Sequence, residues 1–227
     1  IRCERLWLRL LAPNVNRFIV QTESMAMLLK ETLNRAAVVL PFVDLTPVNS
    51  TRTKANLAEK KFDFIYVASG EPHKNHEQLL LAWINLAKLN YFPRLCLTVD
   101  KNHFSGLCEW IDACVRQHHL NVEVVSNLSL EETQVLYKIS KALIYPSKFE
   151  SFGLPLIEAI SMGLPVLASD LSYVYDVINP SMVFDPLSSE SIASSVMNFS
   201  NNNASFSVKL YTSQEFLNEV FESGRRH

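Results

Sequence analysis

Between residues 62 and 199, short runs that are apolar at almost every position alternate with longer amphipathic stretches. The apolar runs fall at 62–68, 95–99, 122–125, 142–145 and 166–168, with a last short one at 183–184. Helical patterns occupy 77–89, 105–118, 129–139, 154–162 and 188–199. A strand that is apolar on both faces must be covered on both faces, and interleaved helices supply the cover. The alternation therefore predicts an α/β fold, a Rossmann-like parallel sheet with helices on both faces. Local signals agree. Leu107, Trp110, Ile111 and Cys114 recur at helical spacing, and Ser129 with Glu132 forms a capping box ahead of the helix that follows.

Before this region, 17–21 reads as a short strand, Thr22 or Ser24 as the cap of a helix reaching about residue 34, and 36–40 as another apolar run. A polar stretch with Pro47, Asn49, Ser50 and Thr51 follows. The expected organisation is a remnant of a partner domain at 1–44, a linker at 45–61, the main domain at 62–205 and a carboxyl-terminal helix at 206–227. The first residue is Ile1 rather than methionine, which fits a piece of a longer protein. Residues 6–12 are apolar but too few to span a bilayer, and Arg9 interrupts them.

A formal net charge of −2 gives no global electrostatic case for nucleic acid. The four cysteines, Cys3, Cys96, Cys108 and Cys114, show no paired spacing for zinc or dithiol chemistry. Three of them sit in apolar surroundings and read as small hydrophobes, which fits a reducing compartment. The triplet Asn49-Ser50-Thr51 and the triplet Asn127-Leu128-Ser129 match a glycosylation sequon, a pattern too common by chance to carry weight.

Parallel sheets bind ligands beyond the carboxyl ends of their strands, which directs attention to the loops after residues 68, 125 and 145. Glycine is scarce, five in 227 residues, so each answers a backbone need. Gly163 ends a helix two residues before Pro165 and reads as a left-handed cap. Gly70 and Gly153 each lie in a strand-to-helix loop on the ligand edge. Either alone reads equally as a tight turn or as an opening through which phosphate reaches backbone N–H groups. Together with Lys74 they favour phosphate. No GxGxxG, no GxxxxGK[ST] and no Asp-x-Asp occurs, so no metal clamp for a diphosphate is expected. Lys74 and the helix after Gly153 are the parts available to stabilise a departing diphosphate. His73 and His76 bracket Lys74, but without a third ligand they do not make a zinc site. Phe149, Phe152 and Tyr145 read as packing rather than base stacking.

Residues 149–159, Phe-Glu-Ser-Phe-Gly-Leu-Pro-Leu-Ile-Glu-Ala, followed by Met162-Gly163-Leu164-Pro165-Val166, resemble the E-x7-E signature of GT-B glycosyltransferases, and most of all their large retaining group, carbohydrate-active family four. Tyr66-Val67-Ala68-Ser69-Gly70 with His73-Lys74-Asn75 is similar to that family's phosphate-binding loop, and Pro41-Phe42-Val43-Asp44 to the stretch leaving its acceptor domain. The resemblance spans roughly residues 17–200. It implies that Lys74 neutralises the leaving diphosphate, that Glu150 bonds the sugar hydroxyls and that Glu158 holds the ribose. It further implies a donor site completed by Ser69, Gly70, Ser151, Phe152, Gly153 and Leu154, with Ser126 and Asn127 near the base.

The implied reaction is retaining, metal-independent transfer of a sugar from a UDP- or GDP-type donor to a glycan or lipid-linked acceptor, without a cofactor. The setting would be polysaccharide assembly in the cytoplasm, with peripheral association at the inner face of the membrane allowed. Many relatives carry arginine where Ser69 stands, so one charge-assisted contact is missing, a loss of about 1.5–3 kcal/mol. Two other readings stay open: a truncated or degenerate module that binds nucleotide sugar without transfer, and a GT-B-fold epimerase. The residues that approach the sugar from the opposite side would belong to the amino-terminal domain.

Overall fold

The computed structural model describes residues 2–43, 60–199, 205–207 and 210–223. Nearly all of the expected linker, including Pro47 and the triplet Asn49-Ser50-Thr51, lies outside the described residues, as do residues 201–204.

The chain begins with helix α1 (Arg2–Leu11), not anticipated from the sequence, and a 3-10 turn at Ala12–Asn14. Strand β1 (Phe18–Val20), helix α2 (Glu23–Leu33) and strand β2 (Ala37–Val39) then form a parallel βαβ unit, with Ile19 opposite Val38. Thr22 starts α2: its backbone is extended and its hydroxyl accepts the Met25 N–H at 3.2 Å. Asn34, at φ 54°, ends it.

The main sheet is built from β3 (Phe62–Tyr66), β4 (Leu95–Leu97), β5 (Val122–Val124), β6 (Ser140–Tyr145), β7 (Val166–Ser169) and β9 (Met182–Phe184), the last preceded by a two-residue strand β8 (Ile178–Asn179) outside this sheet. The intervening helices are α3 (His76–Lys88), α4 (Ser105–His118), α5 (Leu130–Lys138), α6 (Leu154–Ser161), the single turn α7 (Ser172–Tyr175) and, after β9, α8 (Ser189–Met197). Every pairing is parallel, and the spatial order is β5-β4-β3-β6-β7-β9. Counted as the chain makes them, that is 3-2-1-4-5-6, the order of doubly wound dinucleotide folds. From β3 the chain steps outward through β4 to β5; from β6 it steps the opposite way. Right-handed crossovers in opposite directions place their helices on opposite faces.

Burial follows the apolar pattern. Phe64, Ile65 and Tyr66, all of β4 and all of β7 are buried, whereas the edge strand β5 exposes Glu123 between two half-buried valines. Trp83 of α3 meets Phe64 edge-on at 5.8 Å and donates its indole N–H to Pro93 O at 2.9 Å, so its one polar atom is satisfied inside the core. Cys96, Cys108 and Cys114 are buried and unbridged. The capping box at Ser129 forms, with Glu132 N–H on the serine hydroxyl and the Glu132 carboxylate on Ser129 N–H.

The helix expected from residue 206 differs. Strand β10 (Ser205–Phe206) pairs antiparallel with β8, and helix α9 runs only over Ser213–Ser223. Thr212 and Glu215 set its start: Glu215 N–H reaches the threonine hydroxyl, and the Glu215 carboxylate accepts Thr212 N–H. That is a second capping box, and it fixes a helix start seven residues later than expected. The segment before α9 bridges to Phe42 through Tyr211, whose N–H donates to Pro41 O at 2.8 Å, and the Phe42 and Phe216 rings lie 5.1 Å apart. By contact density residues 1–53 and 207–227 form one unit and 54–206 another.

Candidate functional site

In the 54–206 unit β3 and β6 are neighbours, yet the chain leaves them in opposite directions. The two departing loops open a crevice at the carboxyl edge, the position where such sheets take ligands. The first loop carries Ser69, Gly70 and Lys74; the second carries Glu150 to Gly153.

Buried polar groups lock the loops together. Asn75 takes a left-handed backbone, φ 64°, and its side-chain amide donates to Pro146 O at 3.0 Å and Pro186 O at 2.7 Å. Lys148 N–H donates to His73 O at 2.8 Å. Tyr66 gives its hydroxyl proton to Lys74 O at 2.7 Å, so the Ser147 hydroxyl, 3.0 Å away, donates to Tyr66. Ser147 O in turn accepts from Ser169 and Tyr173 hydroxyls, both at 2.8 Å. A network satisfied at this many points holds its parts in one arrangement.

Across the crevice Lys74 Nζ donates to both oxygens of Glu150, at 2.7 and 2.9 Å. The side chains are 15% and 10% exposed. Tyr145, buried in β6, donates its hydroxyl to Glu150 Oε1 at 2.9 Å. Burial foremost, and then the Glu150 charge, push the Tyr145 hydroxyl far above its ordinary pKa, so it stays a donor.

Helix α6 begins at Gly153, whose φ of 76° is the left-handed value that glycine tolerates. Leu154 and Pro155 follow; the first N–H groups of a helix have no partner within it, and no side chain caps this one, so its amino end is of the kind that takes an anion. Phe152 is buried as core, Ser151 is exposed, and Leu154 is half-exposed at the rim. Glu158, one turn further along α6, accepts the hydroxyl of buried Tyr137 on Oε2 at 2.9 Å.

Four of the expected donor-site residues have structural surroundings of their own. An ideal Cβ on Gly70 would lie 2.4 Å from Phe104 Cγ, so packing against that ring already demands glycine here, independently of phosphate. The Ser69 hydroxyl donates to the Glu71 carboxylate, so it is engaged with an acid of its own loop. Ser126 is also engaged, donating to Val99 O at 2.6 Å and accepting Lys101 N–H at 3.3 Å. Asn127, at φ 57°, lines a separate cavity of about 270 Å³ with Thr98, Asp100, Val125, Leu128 and Thr133. Among the described residues no hydrogen bond joins Ser126 or Asn127 to Lys74 or Glu150. The link is indirect: Ala68 N–H donates to Thr98 Oγ1 at 3.2 Å. Tyr137, Thr98 and Asp100 carried no expectation from the sequence, Tyr66 stood only as part of the loop motif, and Tyr145 was expected as packing. Tyr66, Tyr145, Thr98 and Asp100 share one signal, a polar group at or just after the carboxyl end of a strand, whereas Tyr137 lies in the last turn of α5 and shows none.

Two consequences are measurable. Gly70→Ala should destabilise the native state by about 1–3 kcal/mol through overpacking, and in a Phe104→Ala background the same change should cost far less; chemical denaturation of the four forms measures the coupling. His76 is 3% exposed, its ring lies 5.0 Å from Tyr66, and neither ring nitrogen has a hydrogen-bond partner among the described residues. Burial, aided by the Lys74 charge, lowers its pKa to about 4. The unfolded chain protonates this histidine below about pH 6.5, the native chain only below about 4. Native stability therefore falls as pH drops through that window, by on the order of 3 kcal/mol from this one group. Denaturation midpoints at pH 7.5, 5.5 and 4.5 should show that slope, reduced in His76→Leu.

The sequence profile of the family described as "Glycosyl transferases group 1" matches residues 48–213. The serotype-specific mannosyltransferase WbdA of Escherichia coli is 37% identical over 113 residues, which are 48% of this chain and 13% of that protein. The chain thus spans about an eighth of that relative's length. A glycosyltransferase from Rickettsia africae ESF-5 has a similar structure at 18% identity, with a TM-score of 0.69 over 86% of this chain and 55% of that one. Anabaena Alr3699/HepE, solved in complex with UDP and glucose, matches at 15% identity and a TM-score of 0.68, over 87% and 57%. At these identities the solved structures establish the shared GT-B fold.

Proposed function

Because the chain belongs to the glycosyl transferases group 1 family, we propose that it forms the donor-binding part of an enzyme that moves a hexose, mannose foremost, from a nucleoside diphosphate to a glycan or lipid-linked acceptor. Transfer proceeds with retention and without a metal. The observation that carries this reading is Lys74 facing Glu150 across the β3–β6 crevice, beside the amino end of α6. The mannosyltransferase relative supports the sugar, and the UDP and glucose bound by Alr3699/HepE support a nucleotide and a sugar in this fold.

The donor lies with its diphosphate on Lys74 and the Gly153 and Leu154 amides, its sugar hydroxyls on Glu150 and its ribose on Glu158. The base extends toward the cavity around Asn127. As the bond between the anomeric carbon and the diphosphate oxygen breaks, positive charge develops on the sugar and negative charge on the departing phosphate. A fixed ammonium and helix amides aimed at that oxygen stabilise it most as it leaves. The acceptor hydroxyl then attacks the anomeric carbon from the same face and passes its proton to the departing diphosphate oxygen. A cytoplasmic setting, with peripheral contact at the membrane face, belongs to the same proposal; among the described residues no helix is long and apolar enough to cross a membrane.

Calorimetric titration of the chain with GDP-mannose, UDP-glucose and ADP-glucose, followed by a transfer assay, tests the reading. Saturable binding of one of them is expected, and no binding by any of them overturns it. The engagement of Ser69 by Glu71 favours one second reading, a module that binds the donor without turnover. Binding with neither transfer nor hydrolysis would support that reading, and a sugar epimerised without acceptor would instead point to an epimerase.

A further inference from the structure

The two groups assigned above to opposite parts of the donor, Lys74 to the diphosphate and Glu150 to the sugar, hold each other in the ligand-free site. Both Glu150 oxygens bond one ammonium, at 2.7 and 2.9 Å, with little exposure on either side. The contact is built into the fold. Lys74 is fixed through its carbonyl by Tyr66, and Glu150 through Oε1 by Tyr145. A diphosphate that takes Lys74 must therefore take it from Glu150.

We infer that this competition makes Glu150 a specificity-determining residue, setting the preference of the site for a sugar-bearing nucleotide over the bare nucleoside diphosphate. The inference rests on the donor-site reading above. A bare diphosphate draws Lys74 away and leaves a mostly buried carboxylate with Tyr145 as its remaining named donor, and an uncompensated charge in such a place is costly. A nucleotide sugar offers hydroxyls to Glu150 as it takes Lys74, so both charges stay satisfied. After transfer the sugar is gone, Glu150 loses those hydroxyls, and its return to Lys74 displaces the spent diphosphate. One acid thus serves admission of donor and release of product.

Glu150→Gln tests this by calorimetry with UDP and GDP, each alone and as UDP-glucose and GDP-mannose. A competitor that occupies Lys74 most of the time reduces the apparent affinity by the fraction left free. The bare diphosphate with the matching base is therefore expected to bind Glu150→Gln about tenfold tighter than wild type, while the nucleotide sugar gains nothing. Glu150→Ala, expected to act in the same direction, covers a folding defect in the first variant. Glu71→Gln controls for simple removal of charge, since Glu71 feels the Lys74 charge but its carboxylate is held by Ser69. Unchanged diphosphate affinity in both Glu150 variants overturns the inference, and so does a Glu71→Gln gain equal to that of Glu150→Gln. Lys74→Ala separates the two levels. If it weakens diphosphate binding while the Glu150 variants stay neutral, the inference fails and the donor-site reading stands; if it leaves every affinity unchanged, both fail.

Discussion

Lys74→Ala is expected to lower sugar transfer by about 10²–10³-fold, the usual cost of losing one donor aimed at charge that develops in the transition state. The expectation follows from position. Lys74 ends a 3-10 turn whose preceding strand, β3, lies at the point where the sheet reverses its strand order. Its carbonyl is pinned by Tyr66 and its ammonium already faces the loop after β6. With serine at residue 69, and that serine bonded to Glu71, no arginine stands there to share the task. The interaction strengthens as the diphosphate departs, so kcat should fall more than donor KM rises. Lys74→Arg, which keeps the charge, should recover part of the loss. A thermal melt of each variant separates this from destabilisation, since Glu150 loses its ion-pair partner in Lys74→Ala.

Glu158→Ala should weaken donor binding by about 10–100-fold, the equivalent of a charge-assisted hydrogen-bond set of roughly 1.5–3 kcal/mol. It should also destabilise the fold by about 1–3 kcal/mol, because the hydroxyl of Tyr137, a residue 1% exposed, loses its acceptor. The two effects can be parted. Adding Tyr137→Phe removes the orphaned hydroxyl, so the double variant should regain stability while donor binding stays weak. Tyr137→Phe alone keeps the carboxylate and should raise donor KM only a fewfold. Recovery of both properties in the double variant would make Glu158 a structural residue and remove it from the ribose.

Much of this arrangement is legible in local sequence because local physics decides it. Runs such as residues 95–97 and 166–168 are apolar throughout and read as strands buried on both faces. Ser129 and Glu132 announce their helix within four residues, and Gly153 occupies a backbone that other residues rarely adopt. What escaped depends on partners distant in sequence. Strands β8 and β10 are two residues each and exist only by pairing with one another across 26 residues. Tyr66 meets Ser147 across 81 positions and Tyr137 meets Glu158 across 21; no periodicity encodes such meetings. Gly70 is instructive in the same way. Its place in an edge loop suggested phosphate, while the ring that excludes a side chain there belongs to Phe104, brought alongside by the loop after β4. The second capping box, at Thr212 and Glu215, was legible by the same rule as the first, and overlooking it misplaced the start of α9.

The proposed function places the diphosphate of a nucleotide sugar in the crevice between the carboxyl ends of β3 and β6. A crystal structure of the chain with whichever of GDP-mannose or UDP-glucose binds in calorimetry tests it most directly. The diphosphate is expected within hydrogen-bond distance of Lys74 Nζ and the Gly153 and Leu154 amides, with Glu150 turned from Lys74 to the sugar and the ribose on Glu158. A diphosphate found elsewhere on the sheet edge, or a donor bound while Lys74 remains on Glu150, would contradict it.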